Sequence, residues 1–295
     1  MSTQTRSLSL SAAPSQSFGR LAWRRFLRHR LALLGAAVLV CLTLMALFAP
    51  WISPMDPNRV DLMLAREGPS TTHLLGSDVV GRDVLSRLIY GSRVSLSVGL
   101  FSVSIYMVLG TLLGCMAGYF GGRIDMAISR LIDAVLSFPA LMLILVIVGL
   151  LGPSTFNIII AIAVLSWPEV ARIARGQTLA AREETYVLAS EATGAPPRRI
   201  IIEEILPNIL SPIIVDATFG IARAILVEAG LSFLGMGVQP PTASWGNMLN
   251  DAQSLSILES MPWMWVPPGL MIFIATISIN FVGDGLRDAL DPKLS

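Results

Sequence analysis

Lysine is almost missing from this chain. Lys293 is the one lysine in 295 residues, and the other basic side chains are arginines. A Walker-type phosphate loop needs Gly-x-x-x-x-Gly-Lys followed by Ser or Thr, since the ammonium meets the phosphates and the hydroxyl meets magnesium. Lys293 is followed by Leu294, so the chain has no such loop, and any ATP must be bound by another chain. Histidine is equally scarce: His29 and His73 stand far apart and form no His-Glu-x-x-His zinc site. Cys41 and Cys115 both sit in apolar runs, which excludes a disulfide framework and reads them as small buried apolar residues. No nucleophile or metal constellation is visible, which disfavours a membrane enzyme. Charge is low as well, at 14% of residues against about 25% in a soluble domain. The net charge of +1 lacks the basic excess of a nucleic-acid binder.

What the chain has is apolar length. Hydrophobic residues make up 54%, with a mean hydropathy of +0.69. No charge interrupts residues 31–52, 94–122, 134–168 or 260–282, and residues 205–234 carry only Asp216, Arg223 and Glu228. A membrane span needs about 20 apolar residues, so the third run is long enough for two helices turning at Gly152-Pro153-Ser154. Six spans are predicted, at 31–52, 94–118, 127–151, 155–174, 205–234 and 263–283, giving an all-α polytopic membrane fold. The first run follows Arg24, Arg25, Arg28 and Arg30, as a secretory signal would. Its length and the poor cleavage site at Phe48-Ala49-Pro50-Trp51 favour an uncleaved span. Ser2 to Ser17 reads as a disordered polar tail.

The arginines set an orientation. With the N-terminus inside, the inner segments collect fifteen basic residues and the outer ones five: Arg59, Arg66, Arg82, Arg87 and Arg93. The positive-inside rule then places both termini in the cytoplasm. The five outer arginines are interleaved with Asp56, Asp61, Glu67, Asp78 and Asp83, which predicts a folded, self-paired outer segment. The chain divides into an inner tail (1–30), a first span (31–52), an outer segment (53–93), a core of five further spans (94–284) with an inner loop at 175–204, and an inner tail (285–295). No internal repeat supports an inverted-repeat secondary transporter.

The inner loop is the most informative segment. Leu179 to Thr193 has helix-forming composition, with small residues at Ala189, Ser190, Ala192 and Thr193. Gly194 and Pro196-Pro197 stop that helix, and a second one runs on through Pro207 into the membrane. A small-residue face suits close packing in a groove of a partner; an ordinary interfacial helix is the plainer reading. Within the spans, Asp216 and Arg223 share a helix face, with Glu228 about 120° from Asp216. A mid-bilayer charge costs at least about 2.5–3.5 kcal/mol, so all three should face protein or water. They line a pathway or pair within the bundle, and the small-residue surroundings of Glu228 favour pairing for it. Gly110, Gly114 and Gly118 form a close-packing stripe; Met261, Trp263, Met264 and Trp265 read as an interfacial belt; Pro139, Pro168 and Pro207 bend or start helices.

The loop resembles the coupling motif of ABC importer permeases, Glu-Ala-Ala-x3-Gly-x9-Ile-x-Leu-Pro. The Gly194-to-Pro207 spacing matches and Ala189 holds one alanine position. Ser190 replaces the other, Leu188 stands at the glutamate and Glu204 at the isoleucine. Residues 73–91 (HLLGSDVVGRDVLSRLIYG), 228–235 (EAGLSFLG) with Pro240-Pro241 and Ser244-Trp245-Gly246, and 283–292 (GDGLRDALDP) are similar to the second permease of dipeptide, oligopeptide and nickel importers. This resemblance covers most of residues 18–295. It implies a type I importer permease of the bacterial cytoplasmic membrane, paired with a related permease, two cytoplasmic ATPase subunits and an external binding protein. ATP and magnesium belong to those ATPases, leaving this chain without a cofactor. It also implies a coupling role for Tyr186, Ala189, Ser190, Ala192, Gly194 and Pro207, and di- or oligopeptides, or a solute such as a nickel chelate, as cargo. The rival is a secondary transporter or channel with no ATPase partner, which would leave the inner helix unexplained.

Overall fold

A computed structural model describes residues 18–290. The polar tail at 2–17 and the last five residues, with Lys293, lie outside the described residues. Helix α1 (Phe18–Phe26) leads into α2 (Arg30–Leu47), whose N-cap is His29: its ring nitrogen accepts the Ala32 amide at 3.1 Å. Residues 53–83 then run without a long helix to α3 (Val84–Phe120). Asp83 caps α3 through the Ser86 amide at 2.7 Å, so this helix starts earlier than the charge-free run at Val94. The N-cap carboxylate also offsets the positive charge of Arg87 in the first turn of the helix.

The span predicted at 127–151 is broken. Helices α4 (Gly122–Leu136) and α5 (Ala140–Leu151) meet at 85° across Ser137-Phe138-Pro139. Pro139 cannot donate a backbone hydrogen bond and stands as the N-cap of α5, so the apolar run cannot stay one helix. Helix α6 (Thr155–Arg182) is capped by the Ser154 side chain. Then come α7 (Thr185–Ala192), a π-helical stretch Ile200–Ile205, α8 (Leu206–Phe233), the short α9 (Trp245–Asn250) and α10 (Leu255–Ser260), and α11 (Pro262–Leu290). Among the described residues five helices are long and apolar enough to cross a membrane, and the bent α4–α5 pair supplies the sixth passage if it counts as one span.

The glycine stripe decides how α3 meets α6. A Cβ at Gly110 would stand 2.7 Å from the Trp167 carbonyl, one at Gly118 2.8 Å from that of Arg175, and one at Gly114 would strike the Ala171 carbonyl. The two backbones touch along three turns, which only small residues permit. Cys115 is buried in that contact, as expected, but Cys41 on α2 is exposed.

At one end of the bundle, polar side chains form a buried knot. His73 and Asp83 pair at 2.9 Å, Arg82 bonds Asp78, and Arg82 also reaches Asp251 at 2.9 Å. Arg87, 1% exposed, lies 3.7 Å from Asp78 and 3.9 Å from Asp251, and donates to the Pro241 carbonyl. Burial pushes the Asp251 carboxyl up, and the arginines pull it back. The self-paired outer segment is therefore only half right. Its arginines also recruit the 236–262 loop, while Arg59, Arg66 and Arg93 make no ion pair among the described residues. The belt expectation also changes: Met264 is buried and the Trp263 indole donates to the Ser77 carbonyl at 3.2 Å, so this tryptophan anchors the knot.

Candidate functional site

Helix α7 is shorter than predicted, because Leu179 to Arg182 complete α6 and the chain breaks at Glu183-Glu184. Val187 is its one fully buried side chain. Tyr186, Leu188, Ala189, Ala192 and Gly194 are exposed and Ser190 is half-buried. Gly194 sits at φ +79°, with its amide on the Glu191 carbonyl (2.9 Å) and the next amide, of Ala195, on Ser190 (3.1 Å). These two bonds close the helix as a Schellman motif, which favours glycine at the left-handed position. A Cβ there would meet nothing within 4 Å, so the surface beside Gly194 is open.

Side chains tie α7 to the bundle. The Tyr119 hydroxyl, at the end of α3, donates to Glu191 at 3.0 Å, and Arg182 donates to the Tyr119 carbonyl at 2.9 Å. Ser190 donates to Glu204 at 2.5 Å. Asn208 donates to the Tyr186 hydroxyl at 3.3 Å and to the Glu204 carbonyl at 2.6 Å. Ser190 and Glu204 are two of the three departures from the coupling motif, and they are each other's partner. Where the motif puts two apolar residues, this chain puts a hydrogen bond. Pro207 lies in the first turn of α8, and the π-helical stretch before it absorbs the missing donor. Glu191 and Tyr119 were not singled out from the sequence, because residues 72 apart give no local signal.

The intramembrane charges divide. Arg223 is held by Asp216 at 3.0 Å and, from α6, by Glu169 at 2.8 Å. The Arg223 and Glu169 side chains are about half exposed, so this set faces out of the subunit. Glu169 was overlooked because the charge-free run ends one residue before it, at Pro168, although the predicted span 155–174 includes it. Glu228 goes elsewhere. It is 0% exposed and accepts from Ser95 at 3.1 Å and Ser232 at 2.8 Å. It cannot line an open pathway in this conformation; it pins α3 to α8. Among the described residues no three His, Cys, Asp or Glu side chains gather as a metal site.

A family described as the binding-protein-dependent transport system inner membrane component matches residues 110–295, well over half of the chain. The chain belongs to this family. Residues 17–69 match the N-terminal transmembrane domain of oligopeptide transport permease C. The permease is 42% identical over 275 residues to a dipeptide transport system permease protein of Alkalihalophilus pseudofirmus, covering 93% of this chain and 90% of the relative. It is 44% identical over 278 residues to a di/tripeptide transport system permease protein of Pseudomonas aeruginosa (92% and 91% covered). It is 41% identical over 273 residues to a glutathione transport system permease protein of Pectobacterium atrosepticum (92% and 90%). Its fold is similar to a chain in an inward facing structure of the MetNI methionine ABC transporter, with TM-score 0.54 at 18% identity, covering 70% of this chain and 96% of that one. The protein is thus a multi-pass membrane permease subunit of an ABC importer, and not a catalytic enzyme.

The geometry suits such a conduit. The α3–α6 contact is close along its length, so displacement of α7 would carry whole helices rather than bend them. Helices α6 and α8 flank the α7 loop in sequence and are bridged by the Arg223–Glu169 pair.

Proposed function

We propose that this permease forms, with a related second permease, the translocation pathway of an importer for di- and oligopeptides. Two cytoplasmic ATPases drive it and an external binding protein delivers the cargo. The single observation that carries the coupling part is α7, a helix tethered to two spans by side chains yet open around Ala189, Ala192 and Gly194. Close approach to a groove needs small residues and a sharp end, and both are present. The relatives' names support peptides as cargo. Arg223 and Glu169, with the more buried Asp216 behind them, line the pathway, because half-exposed charges in a span must meet water or protein rather than lipid. Both termini and the α7 loop lie in the cytoplasm, with residues 53–93 and 236–262 outside.

Co-expression with its neighbours tests this reading: the tagged permease should retain ATPase subunits, and vesicles carrying the assembly should take up dipeptides when loaded binding protein is outside. Purification without ATPases would sink it. Cysteine introduced at Ser70 should label from outside intact cells and cysteine at Ser190 should not. Arg223→Leu should insert and assemble normally but lose most uptake; normal uptake would remove this cluster from the pathway.

A further inference from the structure

A cleft of about 740 Å³ opens at the N-terminal end of α3. Its walls include Asp56, Asn58, Tyr90, Arg93 and Thr242. This is the size range of small-molecule sites, which run about 300–1,000 Å³. The cleft is preformed. Pro50, Pro54 and Pro57 stiffen one wall, the Met55 amide donates to Ser86 on α3 at 3.1 Å, and the Asn58 amide donates to Asp56 at 2.8 Å. Arg87 holds the other wall through the Pro241 carbonyl.

Two groups in it lack partners. Arg93 is exposed and makes no ion pair among the described residues, in contrast to Arg82 and Arg87 on the same stretch of chain. Tyr90, one helical turn before it on the same face of α3, has no hydrogen-bond partner for its hydroxyl there either. A planar guanidinium beside a phenol is a donor set for a carboxylate. Asp56 supplies an acceptor of the opposite sign in the same cleft. The location is also informative. Helix α3 spans 37 residues, about 55 Å, and its far end carries Tyr119 on the coupling helix. The cleft therefore lies at the opposite end from coupling, where cargo would arrive.

We propose that this cleft is a receiving subsite for the peptide, with Arg93 and Tyr90 taking its C-terminal carboxylate and Asp56 facing its ammonium group. The inference rests on the peptide reading above. A small zwitterion fits a concave site bearing both signs better than a flat protein surface does.

The test uses the full assembly in vesicles with loaded binding protein, and measures peptide delivered per ATP hydrolysed for wild type, Arg93→Ala and Arg93→Lys. Loss of one charge-assisted contact should cut delivery by about tenfold in Arg93→Ala, and lysine should restore most of it. The binding-protein concentration giving half-maximal ATP hydrolysis should stay within about twofold. Because Arg93 has no partner among the described residues, the alanine variant removes no bond seen there. Unchanged delivery overturns the proposal, and so does failure of lysine to restore it. A raised binding-protein requirement would make the cleft a docking surface for that protein and overturn it too. If wild type moves no peptide at all, the cargo reading itself falls; if Arg93→Ala moves peptide normally, only the subsite does.

Discussion

The two ends of this permease are built on opposite principles. At the end carrying residues 53–83, Asp78, Arg82, Arg87, Asp251, His73 and Asp83 are mostly buried and pair with one another within the chain, with one Arg87 nitrogen held by charge alone. At the other end, α7 buries Val187 and leaves nearly every other side chain exposed, held by a few hydrogen bonds. The first end pairs its buried charges inside the chain and leaves the cleft beside Arg93 open; the second presents an open face along most of α7. A charge-paired end and an exposed α7 end fit the proposed subunit that transmits movement along stiff helices. They also imply that substitutions at the two ends should fail differently, one through folding and the other through coupling.

The largest effect tests what joins the ends. Gly114→Leu would drive a side chain into the Ala171 backbone, where even a Cβ has no room, and force α3 off α6 along three turns, so the helix pair as a whole is lost rather than one contact. Monodisperse permease in detergent, followed by size exclusion, should nearly vanish. Next, Asp78→Ala leaves Arg82 and Arg87 buried beside each other with Asp251 alone. Breaking a buried pair costs about 3–5 kcal/mol, so the thermal midpoint in detergent should fall by several degrees. No shift would mean that the knot is water-filled and the comparison overstated.

At the α7 end the effects on folding are smaller. Ser190→Ala alone should cost about 1–2 kcal/mol, because Glu204 has one oxygen bonded only to Ser190 and another buried with no partner. Ser190→Ala with Glu204→Ile, which restores the family motif at both positions, should recover that loss. Additive losses in a thermal-shift cycle would show that the pair does not act as a unit. Gly194→Val should cost about 1–2 kcal/mol locally, from a positive φ with open space around it. The spans should insert normally, yet substrate-stimulated ATP hydrolysis should drop. Unchanged ATPase retention and stimulation would show that this surface docks nothing.

Much of the fold was legible in order. Apolar runs bounded by charge locate α2, α3, α6, α8 and α11, because burying a backbone in lipid demands about 20 uninterrupted apolar residues per helix. The glycine stripe on α3 announced a close contact from spacing alone. Helix starts were less legible: Asp83 caps α3 well before its apolar run, since one hydrogen-bonded carboxylate outweighs hydropathy at a helix end. Likewise Pro139 bends an apolar stretch through 85°, and hydropathy carries no information on direction.

The sequence by itself determined that this chain lives in a membrane, binds no nucleotide through a Walker loop, and carries a small-faced helix ended by Gly194. Those properties follow from residue type and local spacing. Only the tertiary structure decided that Glu228 is a buried tie and Arg223 an exposed one. It alone brought Glu169 to Arg223 and Asp251 to Arg82, and made Ser190 and Glu204 compensating partners. Charges 54 and 169 residues apart in sequence meet only when helices pack. A carboxylate's role depends on what the packing places around it, which no local pattern encodes.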